Sequence, residues 1–380
     1  MACQSPLLPL VLNARRDPAF RPPAPADPRP IAFHRTLPAY VPTPLVHLDA
    51  VARDLGLGCV VVKNDQRRLG LPAYKVLGGA WVVHQVIARR AGLPPDRVVA
   101  FDELARLART LGPVTLCTAT DGNHGRGIAA MAQALGFSSA VYVPADIAPE
   151  RLAAIAGHGA DVRRVAGSYD DVVDEARQAS AEHGYWLCAD TAQGGEDAFP
   201  TWVQEGYTTL FDELDEQLSA TPDALFLQAG VGALAAAGVA WLRRRSAEAR
   251  AVTVEPLGSN CVQASIAAGR PTRVDDAFTI MAGLRAQRVS ETAWPTLVRG
   301  LDAAVAIGDA ETRAAMRLLA RAGVEAGGSG AAGLAGLLAV ATDPESRAAL
   351  GLGPATRVLT LNTEGATDSA SYAAIVGAPD

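Results

Sequence analysis

The sequence predicts an α/β fold with two domains, each with a mainly parallel sheet flanked by helices. The chain has 380 residues, which is enough for two domains of ordinary size. Short apolar runs typical of strands alternate along it with longer segments of helical periodicity. Nearly half of the residues are hydrophobic, and alanine and glycine are abundant, which suits helices that pack closely on sheets.

The predicted strands and helices alternate, as parallel strands require. In the first half, strands are predicted at 59–63, 113–118, 140–143, 161–165 and 186–189, and helices at 75–91, 125–135, 149–158 and 170–183. In the second half, strands are predicted at 224–228, 251–255 and 357–361, and a helix at 233–244. Gly-containing turns follow Thr118, Gln228 and Leu361, and we expect ligands at the rim where these strands end.

The composition argues against nucleic-acid, membrane and metal-binding functions. The net charge is −6 at pH 7, and the short basic run at 243–245 ends a predicted helix, where cations are favoured. No apolar stretch reaches membrane-spanning length, no secretory signal opens the chain, and the five cysteines lack metal-ligand spacing. We therefore expect a cytoplasmic enzyme without a metal.

Residues 1–40, rich in proline and arginine, are predicted to form an extended or partly ordered N-terminal arm.

Lys75 opens an otherwise apolar helix. Burial lowers the pKa of a lysine, and a neutral amine is the form that attacks an aldehyde. The alternative is a lysine at a helix end whose charged head reaches water.

Residues 118–127 follow a strand and open a helix, so their backbone N–H groups are suited to an anion such as a substrate carboxylate. Within this segment, Asn123 offers an amide that can donate to a phenolic oxygen. The alternative is an Asx-type turn with His124 merely packed.

Two further turns carry polar or glycine residues. Residues 228–234 form a Gly turn between a strand and a helix, suited to a phosphate, although a dinucleotide site with Glu255 on a ribose is an alternative. Residues 360–365 lie at the end of the last predicted strand and offer a hydroxyl group that can contact a ring nitrogen. The alternative is that they form an ordinary polar loop.

Taken together, these segments resemble pyridoxal-phosphate (PLP) enzymes of the tryptophan-synthase-β type, also called fold type II. Within that group the chain is most similar to the diaminopropionate ammonia-lyases, with threonine dehydratase as a more distant relative. The resemblance covers about residues 41–372. The matching segments are 70–79, 120–127, 200–207, 281–284 and 363–368.

The resemblance implies how a cofactor is held, in a cleft between the two domains. Lys75 would bind PLP covalently, Asn123 would donate to its phenolic oxygen, and Thr363 would face the pyridine nitrogen. The phosphate would lie on the turn formed by Gly230, Val231, Gly232, Ala233 and Leu234. The large domain would comprise 41–85 and 190–380, and the small domain 86–189.

The resemblance also implies residues for the substrate, a small amino acid. Thr120, Gly122 and His124 would bind its carboxylate. Asp121 resembles a second base on the cofactor face opposite Lys75, so that the two could serve D and L substrates. Asp190 would meet a distal amine or assist Asp121, although a loop aspartate that caps a helix is an alternative.

We predict PLP-dependent α,β-elimination of the ammonia-lyase type on a 2,3-diaminopropionate-like substrate, giving a 2-oxo acid and ammonia. The alternatives are β-replacement or racemisation of a different amino acid, a catalytically silent PLP-fold binding protein, and a nicotinamide enzyme. A homodimer is implied by the resemblance.

The sequence departs from the family pattern in three places near the expected substrate site. Gln66 and Arg67 stand where the family has an acid and a hydroxyl residue, residues 285–288 add arginines, and residues 328–330 lack the usual acid.

Overall fold

The computed structural model of the protein describes residues 10–22, 27–120, 122–167, 169–189, 198–275 and 277–377. Its strands are β1 (Val11–Leu12), β2 (Leu45–His47), β3 (Cys59–Asn64), β4 (Thr115–Ala119), β5 (Ser138–Pro144), β6 (Asp161–Val165), β7 (Trp186–Leu187), β8 (Ala224–Gln228), β9 (Arg250–Pro256), β10 (Ala303–Ile307) and β11 (Arg357–Asn362).

The helices in chain order are α1 (Arg29–His34), α2 (Asp49–Asp54), α3 (Val76–Arg90), α4 (Phe101–Thr110), α5 (Asn123–Leu135), α6 (Pro149–Ala156), α7 (Tyr169–His183), α8 (Phe199–Gln217), α9 (Ala233–Arg245), α10 (Cys261–Ala268), α11 (Trp294–Gly300), α12 (Asp309–Arg321), α13 (Gly328–Thr342), α14 (Pro344–Leu350) and α15 (Ser369–Val376). Residues Ala282–Leu284 form a 3-10 turn. No helix among the described residues is long and apolar enough to cross a membrane.

The contacts divide the chain into two compact units. Unit 1 takes the described residues within 1–26, 42–67 and 213–380, and unit 2 those within 27–41 and 68–212. The domain boundaries predicted above, at residues 40, 85 and 189, stay a prediction.

Unit 1 contains a seven-stranded sheet in the order β1-β10-β9-β8-β11-β3-β2. Its five inner strands are parallel, whereas β1 and β2 pair antiparallel at the two edges. Helix α13 packs directly on this sheet: a Cβ at Gly333 would lie 2.3 Å from Thr360 Oγ1, and one at Gly336 would lie 2.4 Å from Val254 Cγ2. Glycine is therefore required where the helix touches the strands.

Unit 2 contains a four-stranded parallel sheet in the order β6-β5-β4-β7 with helices on both faces. Side chains of β5 alternate between the faces, as the strand period of two requires. Ala140 and Tyr142 pack with residues of α7, and Val141 and Val143 pack with residues of α5 and α6. The predicted parallel α/β architecture is therefore present in each unit.

Part of the predicted N-terminal arm is helical, where its prolines predict an extended chain. Residues 29–34 form the short helix α1, with proline in its first turn. Proline is tolerated there because the first N–H groups of a helix have no intrahelical acceptor. Further upstream, β1 pairs with β10, and the Asn13 side chain donates to the carbonyls of Val298 and Leu301, both at 2.8 Å.

Helix α3 crosses α8 at a point where only glycine fits. A Cβ at Gly78 would lie 2.7 Å from Tyr207 Cε1 and 2.9 Å from Val203 Cγ1, whereas one at the next residue, Gly79, would lie no closer than 3.3 Å to Ile128 Cδ1. Both glycines lie within α3, so replacing either one with alanine stabilises the helix by the same amount, up to about 1 kcal/mol.

We expect Gly78→Ala to be less stable than Gly79→Ala by about 1–3 kcal/mol, because only the first overpacks the α3–α8 crossing. Urea unfolding of the two variants and the wild type measures this difference. Equal unfolding free energies for the two variants would contradict the close approach of α3 and α8.

Candidate active site

Lys75 is half-buried and immediately precedes α3. From Val76 to Ala88 every residue of α3 is buried, so the helix fixes the point from which the lysine side chain starts. Lys75 therefore stands at the start of a buried helix, the position predicted for the amine that binds an aldehyde.

Asn123 is the first residue of α5, which lies against the start of α3. A Cβ at Gly127 would lie 3.0 Å from the Cα of Val76. Because Val76 follows Lys75 and Gly127 lies one turn beyond Asn123, the starts of the two helices converge. Unit 2 therefore places the predicted Schiff-base lysine and the predicted amide donor at neighbouring helix starts.

Thr120 links the end of β4 to the first turn of α5. Its Oγ1 accepts hydrogen bonds from the backbone N–H groups of Gly122, at 2.9 Å, and Gly125, at 3.1 Å. Gly122 has a φ of +149°, which is open to glycine but not to residues with a Cβ. Two of the residues predicted to bind a substrate carboxylate are thus bonded to each other, and that role stays a prediction.

His124 is fully buried in the first turn of α5. Its Nε2 lies 2.8 Å from the carbonyl oxygen of Cys188, so Nε2 carries a proton and donates to that oxygen. Nδ1 has no hydrogen-bond partner among the described residues. The carboxylate role of His124 stays a prediction. The predicted bases Asp121 and Asp190 lie outside the described residues.

In unit 1, the glycine turn between β8 and α9 has the properties of a phosphate site. Gly232 is the N-cap of α9 with a φ of +95°, and a Cβ there would lie 2.8 Å from Leu297 Cδ1. Glycine carries no capping side chain, and the first turn has no acidic residue. The N–H groups that open α9 are therefore suited to an anion.

Glu255 would bind a ribose in a dinucleotide-binding enzyme, but here its carboxylate binds backbone N–H groups of the protein itself. It is fully buried, and its two carboxylate oxygens accept from the backbone N–H groups of Val262 and Gln263, both at 2.7 Å. Burial raises the pKa of Glu255 to about 8, while the two N–H bonds lower it. This arrangement argues against the nicotinamide alternative.

Thr363 follows β11 and is buried. Its Oγ1 accepts from Nε2 of Gln228 at 3.0 Å. Ser329 lies in the same region: its Oγ accepts from the N–H of Gly283 at 3.0 Å, and its own N–H donates to Glu364 Oε1 at 3.1 Å. These bonds bring together the segments 228–234, 281–284, 328–330 and 361–365, which are far apart in the sequence.

Gln228, Ser329 and Glu364 contact the predicted site segments, and the sequence alone assigned them no role. Gln228 is the one polar side chain of a fully buried strand and ends where the glycine turn begins, which is a signal that sequence reasoning could have used. Ser329 bonds to Gly283, 46 residues away, and to Glu364, 35 residues away, and no local sequence pattern indicates such contacts.

Each unit, taken by itself, carries groups of the kinds that bind PLP. Unit 1 has a helix start suited to an anion and the buried hydroxyl of Thr363. Unit 2 has the Lys75 amine and the Asn123 amide at neighbouring helix starts. These donor types fit PLP, and the role of each residue stays a prediction. Among the described residues, no group of three or more His, Cys, Asp or Glu side chains is placed to hold a metal ion.

Comparison with known proteins gives three findings. A family model described as pyridoxal-phosphate dependent enzyme matches residues 36–364. The diaminopropionate ammonia-lyase of Escherichia coli strain K12 is 35% identical over 359 residues, which cover 90% of this chain and 89% of that protein. The crystal structure of the Escherichia coli diaminopropionate ammonia lyase in complex with D-serine superimposes with a TM-score of 0.89 at 32% identity, covering 97% of this chain and 96% of that one.

These findings confirm the predicted family resemblance, the α/β fold of type II, PLP as the cofactor and the ammonia-lyase type of elimination. A further structure of the same Escherichia coli enzyme, in complex with an aminoacrylate-PLP azomethine reaction intermediate, superimposes with a TM-score of 0.87. The chain belongs to the family of pyridoxal-phosphate dependent enzymes.

Proposed function

We propose that this protein is a diaminopropionate ammonia-lyase, which converts 2,3-diaminopropionate and water to pyruvate and two molecules of ammonia. The observation that carries the proposal is the likeness to the Escherichia coli lyase over nine-tenths of the chain. It is supported by Lys75 at the start of α3 and by the glycine turn that opens α9. Bound PLP supplies an electron sink for the negative charge that develops at the substrate α-carbon.

The proposed roles of the cofactor-binding residues follow from their chemistry. The Lys75 amine binds the aldehyde carbon, and Asn123 donates a hydrogen bond to the phenolic oxygen. The N–H groups of the turn from Gly230 to Leu234 hold the phosphate. Thr363 faces the ring nitrogen, and a neutral hydroxyl there does not force that nitrogen to carry a proton.

The proposed roles of the substrate-binding residues centre on the loop at 120–124. Thr120, Gly122 and His124 bind the substrate carboxylate. Lys75 removes the α-proton on one face of the cofactor, and Asp121 removes it on the other, which provides for both D and L substrates. Asp190 binds the distal amine or assists Asp121.

A second candidate substrate is an amino acid whose β-substituent carries no positive charge. Diaminopropionate bears two amines, yet Gln66 and Arg67 stand where the family has an acid and a hydroxyl, and Arg285 and Arg288 add positive charge. Like charges near a bound cation weaken its binding. This candidate also includes β-replacement, in which an added nucleophile takes the place of the leaving group.

The stoichiometry of the products separates these candidates. We expect the PLP-loaded protein to release two molecules of ammonia for each pyruvate from D- or L-diaminopropionate, measured by coupled enzymatic assays. Serine as substrate gives one ammonia for each pyruvate and serves as the control for a neutral β-substituent. Turnover of serine but not of diaminopropionate would support the second candidate. A PLP-loaded protein that releases no pyruvate from either would contradict the proposal of an elimination enzyme.

We further propose that the protein works in the cytoplasm as a homodimer. The thiols of Cys59, Cys117, Cys188 and Cys261 are free, which suits a reducing compartment. The dimer rests on the resemblance to the family. Light scattering on the eluting peak of a size-exclusion column measures the mass in solution, and a monomer at micromolar concentration would contradict the dimer.

A further inference from the structure

Gln228 is a buried amide at the junction between β8 and the glycine turn. Its side chain is 1% exposed. Its Nε2 lies 3.0 Å from Thr363 Oγ1 and between 3.1 and 3.2 Å from the backbone carbonyl oxygens of Ser329, Gly330 and Leu361. One amide nitrogen therefore faces four oxygen atoms.

These neighbours fix which end of the amide points toward them. Backbone carbonyl oxygens only accept hydrogen bonds, so a flipped amide would set Oε1 of Gln228 against three acceptors. In the orientation found, Oε1 has no hydrogen-bond partner among the described residues. A buried unsatisfied acceptor costs about 1–3 kcal/mol. The protein tolerates this cost and keeps Nε2 against Thr363 and the carbonyls.

The surroundings hold this arrangement in place because α13 begins very close to the chain that follows β11. A Cβ at Gly330 would lie 2.2 Å from Asn362 Oδ1 and 2.6 Å from the backbone oxygen of Glu364. The Asn362 side chain in turn donates to Asn64 Oδ1 at 2.9 Å. Two of the carbonyls around Gln228, those of Ser329 and Gly330, therefore belong to a helix start that has little freedom to move.

The contact with Gln228 decides the direction of the Thr363 hydroxyl group. An amide nitrogen donates and does not accept, so the hydroxyl oxygen is the acceptor and its proton points elsewhere. The other oxygen near this hydroxyl is the Ser329 carbonyl, at 3.5 Å. That distance exceeds the roughly 2.5–3.0 Å of an O–H···O hydrogen bond. The Thr363 proton is thus left to be donated to a ligand.

We propose that Gln228 is a positioning residue that holds the Thr363 hydroxyl as a donor to the ring nitrogen of PLP, and so keeps that nitrogen free of a proton. The inference rests on the proposed function, in which Thr363 faces this nitrogen. A hydroxyl fixed as a donor binds a nitrogen lone pair, whereas a protonated nitrogen needs an acceptor. Without Gln228 the hydroxyl rotates freely and accepts from a protonated ring nitrogen.

The protonation state of the ring nitrogen tests the inference, and nitrogen NMR on the holoenzyme reads it when PLP is isotopically labelled at that atom. We expect the signal of an unprotonated nitrogen in the wild type at neutral pH. Gln228→Met keeps the length of the side chain and removes both donors, and we expect its signal to shift toward the protonated form. Thr363→Ser keeps the hydroxyl and is expected to give the wild-type signal.

A protonated ring nitrogen in the wild type would overturn the inference without any variant, so it remains testable if Gln228→Met does not fold. An unprotonated signal in folded, PLP-loaded Gln228→Met would overturn it as well. Failure of the wild type to bind PLP would overturn the proposed function instead. If Thr363→Val, which lacks a hydroxyl, gives the wild-type signal, the placement of Thr363 at the ring nitrogen is wrong and the inference falls with it.

Discussion

Borohydride reduction of the PLP-loaded protein is expected to attach the cofactor to Lys75 and to no other side chain. The chain has only two lysines, Lys63 and Lys75. Lys63 is fully buried, and its Nζ donates to Glu213 Oε2 at 2.6 Å, Gln217 Oε1 at 2.8 Å and the Thr43 carbonyl at 2.7 Å. An ammonium with all three protons bonded cannot act as a nucleophile. Peptide mapping by mass spectrometry identifies the modified lysine, and cofactor found on Lys63 would refute the assignment.

The corresponding variant, Lys75→Ala, is expected to lose the visible absorption band of bound PLP. Its elimination rate should fall by at least about 10²–10⁴-fold, the usual contribution of a positioned base. Lys75→Arg is the matched control, because it keeps a long cationic side chain that cannot lose its proton in a protein. We expect it to be as inactive as Lys75→Ala. Substantial activity with both D and L substrates in either variant would contradict the role of Lys75, whereas activity with one enantiomer alone would point to Asp121 as its base.

Gly232→Val is expected to weaken PLP binding by about 10-fold or more. A left-handed conformation costs a residue with a Cβ roughly 1–2 kcal/mol, and here the Cβ would also overlap Leu297 at 2.8 Å. Both effects distort the turn whose N–H groups we propose to hold the phosphate. Titration of the apoprotein with PLP, followed by its intrinsic fluorescence, measures the dissociation constant.

Gly353→Val is the control for Gly232→Val, because it lies in unit 1 with a φ outside the left-handed region and no atom within 4 Å of its Cβ position. We expect the control to bind PLP like the wild type. Unchanged affinity in Gly232→Val would mean that the phosphate is held elsewhere.

The parallel sheets and their helices could be predicted because the strands are short, apolar and bounded by glycine or proline. The run at 59–63 became β3, Cys59–Asn64, and the helix predicted at 75–91 became α3, Val76–Arg90. Strand β10 was not predicted. Its sequence, Ala-Ala-Val-Ala-Ile, is rich in alanine, a residue with little preference for strands, and its pairing with β9 decides its conformation.

The candidate site was predicted less completely, because its residues act through distant partners. Lys75 and the glycine turn have local signals, a polar residue opening an apolar helix and glycines between a strand and a helix. The rarity of lysine is a further signal, because the chain has only two, Lys63 and Lys75. The structure is needed to exclude Lys63, whose ion pair with Glu213 joins positions 150 residues apart. In contrast, the contact of Gln228 with Thr363 joins positions 135 residues apart and depends on how α13 packs.

The antiparallel strand β1 at one edge of the unit 1 sheet bears on how the molecule avoids edge-to-edge aggregation. An uncovered parallel edge strand offers a row of free N–H and C=O groups to any other extended chain. The two residues of β1 occupy that position beside β10, and Arg16 anchors the segment after β1 through its 3.2 Å contact with Asp302. The short strand β1 therefore covers backbone of β10 that would otherwise template aggregation, and a shortened protein that began downstream of Arg16 would lose this cover.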